Sequence, residues 1–191
     1  MLELVPLTAR HFRRLIDWSP TPKALVQWAG PHVRFPLTDA QLDEMVLENL
    51  SVPPVRRCWM ALLDGEEIGH AQLGYDWRNG VALLSKVVLA PSSRGRGIRA
   101  PMLRLVVASA FAETSIHRLE LNVFTWNHAA IRTYERLGFQ VEGVRRSSAL
   151  VGGERWDTMV MGLLRSEWLE CSRMKEGPGA STGPTDSSAS V

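Results

Sequence analysis

Pro91-Ser92-Ser93-Arg94-Gly95-Arg96-Gly97-Ile98 lies between an apolar run, Val81 to Leu89, and a helical run from Ile98 to Glu113. A loop with two glycines directly after a buried strand and directly before a helix leaves bare backbone N–H groups converging on one point. The positive end of the helix dipole stands behind them. Such a point binds phosphate, and the Arg94 and Arg96 guanidinium groups are suited to clamp a pyrophosphate or a ribose phosphate. A Walker loop is excluded because GxxxxGK[ST] is absent, and a dinucleotide fingerprint because GxGxxG is incomplete. Taken alone, the loop reads equally well as a surface turn with solvated arginines, since glycine commonly marks turns.

Working outward from the loop, three strand-like runs end in it: Val55 to Leu63, Glu67 to Tyr75 and Val81 to Leu89. Asp64-Gly65 and Asn79-Gly80 separate them and are hairpin turn signals, so the runs form an antiparallel meander. Before the meander, Leu2 to Val5 reads as a strand, and Thr8 opens a helix through Leu15 and Ile16 to Trp18 that the Ser19 to Pro22 stretch stops. Thr38 with Gln41 forms a capping box for a second helix, which Leu37 and Leu42 staple and whose apolar face is Leu42, Met45, Val46 and Leu50. After the loop, the helix from Ile98 directs Met102, Leu105 and Val106 inward, with Pro101 tolerated in its first turn. A strand, Arg118 to Phe124, leads to a helix capped by Asn127, with Ala130, Ile131, Tyr134 and Leu137 on one stripe and Gly138 just past its end. Phe139 to Leu150 and Arg155 to Leu163 close the chain as two strands around Gly152-Gly153.

Composition narrows the class. The 191 residues are 45% hydrophobic and 22% charged, the balance of an ordinary globular protein. Net charge is only +2, carried by many Arg and just three Lys (Lys23, Lys86, Lys175), so no polybasic nucleic-acid face is implied. Cys58 and Cys171 lie far apart without CxxC or Cys/His spacing, which supports neither a disulfide framework nor a metal site. No signal-peptide pattern opens the chain and no run of about 18 apolar residues occurs, so a cytoplasmic protein with no membrane partner is expected. From Lys175 to Val191 the chain is mostly Gly, Ser, Pro, Thr and Ala, with little to bury, and a disordered tail at 175–191 behind one domain at 1–174 is expected.

A second segment changes the reading of the loop: Asn127-His128-Ala129-Ala130-Ile131-Arg132-Thr133-Tyr134-Glu135-Arg136-Leu137-Gly138-Phe139 follows it at a distance of one helix plus one strand. Arg94-x-x-Gly97 and Asn127-x-x-Ala-Ile-x-x-Tyr134-Glu-x-x-Gly138-Phe139 together resemble the GNAT superfamily of N-acetyltransferases. Glu142-Gly143-Val144-Arg145 and Val151 to Asp157 are similar to its RimJ/RimL-like branch. The resemblance implies an α+β fold, a largely antiparallel twisted sheet of about seven strands flanked by about four helices. It implies acetyl-CoA as co-substrate and a primary amine of a small molecule or a peptide N-terminus as acceptor, with direct attack in a ternary complex. It leaves a homodimer open and calls for no metal.

Carried over residue by residue, the resemblance sets Val87, Val88 and Leu89 beside the pantetheine arm and Arg94, Gly95, Arg96, Gly97, Ile98, Arg99 and Ala100 around the pyrophosphate. Asn127 contacts the pantetheine amide, and Tyr134 sits near the sulfur. Arg99 departs from the pattern, which has Gly or Ala there, and is expected to point away along the helix. Tyr134 is the general-acid candidate; its alternative is a packed helix-face aromatic. The positions that carry a carboxylate base in some relatives hold Ser85, Val87 and Asn122. Glu120, on the same strand face as Asn122, is the base candidate, against a reading as a solvated partner of Arg118, and Asp76 is a weaker one. His70 and His128, with no Ser or Cys partner motif, read as structural or exposed. Trp28, within the Pro-rich stretch up to Pro36, reads either as core or as a wall of an acceptor pocket built from a shaped loop. Three functions remain open: an N-acetyltransferase, a non-catalytic acyl-CoA-binding module, and an interaction domain using the tail and exposed tryptophans.

Overall fold

The computed structural model describes residues 1–176. In chain order the elements are β1 (Leu2–Pro6), a 3-10 turn (Ala9–His11), α1 (Phe12–Trp18), α2 (Pro22–Ala29), α3 (Asp39–Asn49), β2 (Arg56–Leu63), β3 (Glu66–Asp76) and β4 (Val81–Leu89). A second 3-10 turn (Pro91–Ser93), α4 (Arg99–Ala112), β5 (Arg118–Phe124), α5 (His128–Leu137), β6 (Gln140–Val151), β7 (Glu154–Leu164) and α6 (Arg165–Glu176) follow.

The seven strands form one sheet in the order β1-β2-β3-β4-β5-β7-β6. Every neighbouring pair is antiparallel except β4 with β5. Two tight turns hold the hairpins by backbone geometry: Asp64-Gly65 has φ of 52° and 85°, and Gly152-Gly153 has 57° and 86°. Positive φ at both central residues is the turn whose twist matches paired strands.

Helices cover both faces. On one, α1, α2 and α3 bury Leu15, Leu25 and Leu42 against Met60 of β2. On the other, α4 and α5 set Leu103, Val106, Ile131 and Leu137 against Leu73, Leu84, Leu119 and Met161 of the sheet. Each buried side chain of this size contributes about 1.5–3 kcal/mol relative to exposure. The capping box at Thr38 is present, with the Thr38 N–H donating to Gln41 Oε1 at 2.9 Å.

Several expectations are corrected. Among the described residues six α-helices stand where about four were expected. The Pro-rich stretch is not only a stop and a shaped loop: Thr21 accepts the Ala24 N–H at 3.2 Å and Pro22 occupies the first position of α2. Proline is pre-organised there because that N–H has no helical partner to lose. Helix α6 was also missed. Its start is fixed by Glu167, whose carboxylate accepts the Leu164 N–H at 2.8 Å, and Trp168 packs on Phe111. That helix runs to Glu176, past the expected domain boundary, and the rest of the expected tail lies outside the described residues. Leu105 and Leu50 are exposed, while Leu103 and Val107 join Met102 and Val106 inside. The α4 stripe sits one residue from its expected place, and Leu50 stands just past the end of α3.

The feature that shapes the site is a bulge in β4. Ser85 pairs with Gln72 and Val88 with His70, so Lys86 and Val87 together oppose Ala71 alone. Lys86 accordingly takes a left-handed φ of 48°. An extra residue in one strand bends it away from its neighbour. Gly69 of β3 lies beneath: a Cβ there would meet the Val88 carbonyl oxygen at 2.8 Å and Met102 Sδ at 2.9 Å. Gly69→Ala is expected to destabilise the fold by about 1–3 kcal/mol through overpacking, read as a lower denaturant midpoint with an unchanged m-value.

Candidate active site

β4 and β5 pair from Val81↔Arg118 to Leu84↔Leu121 and no further. Beyond that point β5 continues to pair with β7 through Phe124↔Thr158, while its other edge faces the bulged half of β4 across a gap. The gap is the floor of a cleft of about 730 Å³. Val87, Val88 and Leu89 line it from β4, Asn122 and Val123 from β5, Asn127 and Tyr134 from the start and middle of α5. Unpaired strand edges supply backbone donors and acceptors to a ligand lying between them, as a third strand would.

At one end stands the glycine loop. Gly95 and Gly97 have φ of 75° and 74°, and a Cβ on either would meet nothing within 4 Å. Glycine is therefore needed for backbone direction, and the space beside it is open. Among the described residues no side chain caps the N-terminus of α4 and no acidic residue lies in its first turn, which leaves its first amides free for a ligand. Arg94 lines the cleft while its Nε donates to the Leu89 carbonyl at 3.3 Å.

The structure brings Val87, Val88, Leu89, Arg94, Arg99, Asn127 and Tyr134 together as walls of one cleft. Gly95, Arg96, Gly97 and Ile98 form the turn between Arg94 and Arg99, and Ala100 follows in the first turn of α4. Asn127 also caps α5, its Oδ1 accepting the Ala130 N–H at 3.3 Å. Arg99 does not point away along the helix as expected. Its side chain enters the cleft, with Nε buried and without a hydrogen-bond partner among the described residues.

Glu120 stands apart. It does not line the cleft and lies 3.5 Å from Arg118, which also holds Glu142 through a 2.7 Å hydrogen bond. Asp76 accepts hydrogen bonds from Asn79 in the exposed β3–β4 turn. His128 is exposed on α5. His70 is fully buried, edge-on to the Trp28 ring, and among the described residues neither ring nitrogen makes a hydrogen bond of ordinary geometry.

Tyr134 is buried, and burial pushes its phenol up to about 12, with the Arg99 charge acting in the opposite direction. The phenol is thus protonated at neutral pH. Burial has the same effect on a thiol: Cys58 is pushed up to about 12. A thiolate formed beside the buried phenol and shielded from water is raised in the same direction and becomes a base that Tyr134 is able to protonate.

Residues that the sequence reading passed over complete the walls. Arg145 of β6 donates to Asn122 Oδ1 at 2.7 Å. Lys86 lines the cleft from the bulge, and its carbonyl accepts the Trp28 Nε1–H at 2.7 Å. Trp28 is both core and cleft wall. A β-bulge carries no sequence signature of its own; the one hint at Lys86 was the rarity of lysine in this chain.

The sequence model of the Acetyltransferase (GNAT) family matches residues 22–139, which hold both the loop and the Asn127 to Phe139 segment. The chain belongs to this family. It is an N-acetyltransferase. Among curated relatives, the L-amino acid N-acetyltransferase AaaT of Escherichia coli (strain K12) is 29% identical over 121 residues, 62% of this chain and 75% of that one. Aminoglycoside N(6')-acetyltransferase type 1 of Klebsiella pneumoniae is 27% identical over 150 residues, 72% of this chain and 73% of that one. Spermidine N-acetyltransferase from Vibrio cholerae, solved in complex with CoA and spermine, superposes with a TM-score of 0.77 at 20% identity, covering 88% of this chain and 98% of that one. At that identity the superposition speaks for the fold. Among the described residues no helix is long and apolar enough to cross a membrane.

Burial above all, and then the Lys86 charge, push His70 from 6.5 down to about 3. The folded value lies below the unfolded one, so the unfolded chain takes up the extra proton. The stability held by neutral His70 is whole above pH 6.5 and is lost as pH falls towards 3. Urea midpoints are expected to drop across that window, and His70→Gln to flatten the drop.

Proposed function

We propose that the protein transfers the acetyl group of acetyl-CoA to a primary amine by direct attack in a ternary complex. The observation that carries this is the cleft between the parted halves of β4 and β5, with the glycine loop at one end and Tyr134 in its wall. The pyrophosphate rests on the amides of Gly95 to Arg99, with Arg94 and Arg96 as cation donors. The pantetheine arm runs beside Val87 to Leu89, its amide meeting Asn127. Arg99 adds a guanidinium where the family pattern has Gly or Ala, so cofactor binding here draws on one more charge. Backbone N–H groups of the bulged strand stabilise the tetrahedral oxyanion, a contribution of about 2.7–4 kcal/mol per donor in other enzymes. Tyr134 protonates the departing thiolate.

The acceptor is a small amine or a peptide N-terminus. The relatives named for L-amino acids and aminoglycosides support a small molecule. Glu142 to Arg145 and Val151 to Asp157 support a place in the RimJ/RimL-like branch, and the free Cys58 and Cys171 support a reducing, cytoplasmic setting. The dodecameric spermidine N-acetyltransferase from Vibrio cholerae has the same fold, which supports looking for self-association in solution.

Calorimetric titration with acetyl-CoA is expected to show saturable binding, and a thiol-release assay across L-amino acids, aminoglycosides, polyamines and peptides to show turnover with one of these classes. Tyr134→Phe is expected to lower kcat by about 10²–10⁴-fold while acetyl-CoA binding stays within a few-fold of the parent. Unchanged turnover in that variant would remove Tyr134 as the acid. Binding without turnover on any amine would leave a non-catalytic acyl-CoA module.

A further inference from the structure

An acceptor amine is an ammonium at neutral pH and must lose a proton before it attacks a carbonyl. Among the described residues, no carboxylate in the cleft wall is placed to take it. Asp17 is the one carboxylate there, and it is half-exposed and paired with Arg13; Glu120 is outside, tied to Arg118. A second cavity of about 200 Å³ opens beside the cleft, walled by α3, β2 and the end of α2. Trp28, His32, Arg56 and Lys86 line both spaces. An acceptor seated in the smaller cavity therefore passes these four side chains to reach the thioester. Trp28 has no basic site, and Arg56 is committed to Glu48 through a guanidinium that offers only donors. His32 is exposed beyond the end of α2. Lys86 stands on the bulge itself, half-buried, where the strand backbone turns to φ 48° and is anchored by Trp28.

We infer that Lys86 is the general base of the transfer, its uncharged amine taking a proton from the ammonium of an acceptor held in the smaller cavity. This rests on the acetyl-transfer reading above. The chain uses nineteen arginines and only three lysines, so its usual cation is the one that cannot act as a base. A lysine at the junction of the two cavities departs from that usage in the one respect proton transfer requires.

The surroundings are suited to an uncharged amine. Burial first, and then Arg56 of β2, hold Lys86 below the ordinary lysine range, against the opposing pull of Cys58 of β2 and Glu48 of α3. Glu48 is already paired with Arg56. Cys58, pushed up to about 12, carries no charge at neutral pH, and neither does His70 of β3, pushed down to about 3. Glu44 of α3 lines the smaller cavity from an exposed position, and His32 faces it from beyond α2. Lys86 has no ion pair among the described residues.

The step balances as follows in atoms and protons. The acceptor ammonium gives one proton to Lys86 Nζ, and the freed nitrogen lone pair forms the C–N bond at the thioester carbonyl. Collapse of the adduct breaks the C–S bond. Tyr134 gives its proton to the departing thiolate and recovers one from the new amide nitrogen. Lys86 then releases its proton to water.

Two substitutions separate this role from a charge that merely anchors an acidic group on the acceptor. Lys86→Gln and Lys86→Arg are both expected to lower kcat by at least about 100-fold, with calorimetric acetyl-CoA binding unchanged and the acidic limb of the kcat/KM profile moved up to the ionisation of the acceptor's own ammonium. Retained activity in Lys86→Arg would overturn the base assignment, because arginine keeps the charge and cannot take the proton. A readout independent of turnover uses protein labelled with 13Cε-lysine, with signals assigned by elimination through Lys23→Arg and Lys175→Arg. The Lys86 signal is expected to titrate well below the other two. An ordinary midpoint would overturn the assignment even if acetyl transfer is confirmed. A low midpoint with transfer to no amine would instead overturn the acetyl-transfer reading beneath it.

Discussion

β4 and β5 share only four residue pairs before they part, and the rest of the site depends on that parting. Parallel strands that stay paired bury their edges in each other. Here the Lys86-Val87 bulge bends β4 away while β7 continues to hold β5 from its far side. The result is a gap within a sheet whose two faces are each covered by their own helices and core. Gly69, with no room for a methyl group beneath Val88, allows β3 to follow the bend.

Around that gap, charge and burial divide the work. The glycine loop and the uncapped start of α4 gather partial positive charge at one end, and Arg94 and Arg99 add whole charges. Deeper in, burial decides protonation: Tyr134 keeps its proton, His70 stays neutral, and Lys86 is pressed towards its uncharged form. Each shift has burial as its largest cause. The helices on the two faces of the sheet thus do more than shape a cleft, because by burying these groups they tune their protonation.

Much of this was legible in the sequence where local chemistry is strong. The glycine turns, the Thr38 capping box, the Asn127 cap and the apolar stripe of α5 each act within a few residues, so the chain displays them directly. The cleft walls were legible because two segments matched a known pattern in the right order. What was not legible depended on distant parts of the chain. Thr21-Pro22 reads as a stop until a helix is known to have a partner surface, which Met60 and Ala90 supply to α2. Arg99 enters the cleft through a space that only the folded sheet defines. Glu120 shares a strand face with Asn122, as alternation requires, yet is two residues further from the gap, where Arg118 claims it. Lys86 sits where a register shift between β3 and β4 places it, and no short-range pattern encodes that shift.

The central claim is that a cofactor lies between the parted strands. A crystal structure of the complex with CoA tests it most directly. The pantetheine arm is expected alongside Val87 to Leu89, the pyrophosphate on the amides of Gly95 to Arg99, and the sulfur within hydrogen-bonding reach of the Tyr134 hydroxyl. CoA bound elsewhere on the surface, with the space between β4 and β5 filled by side chains, would contradict it.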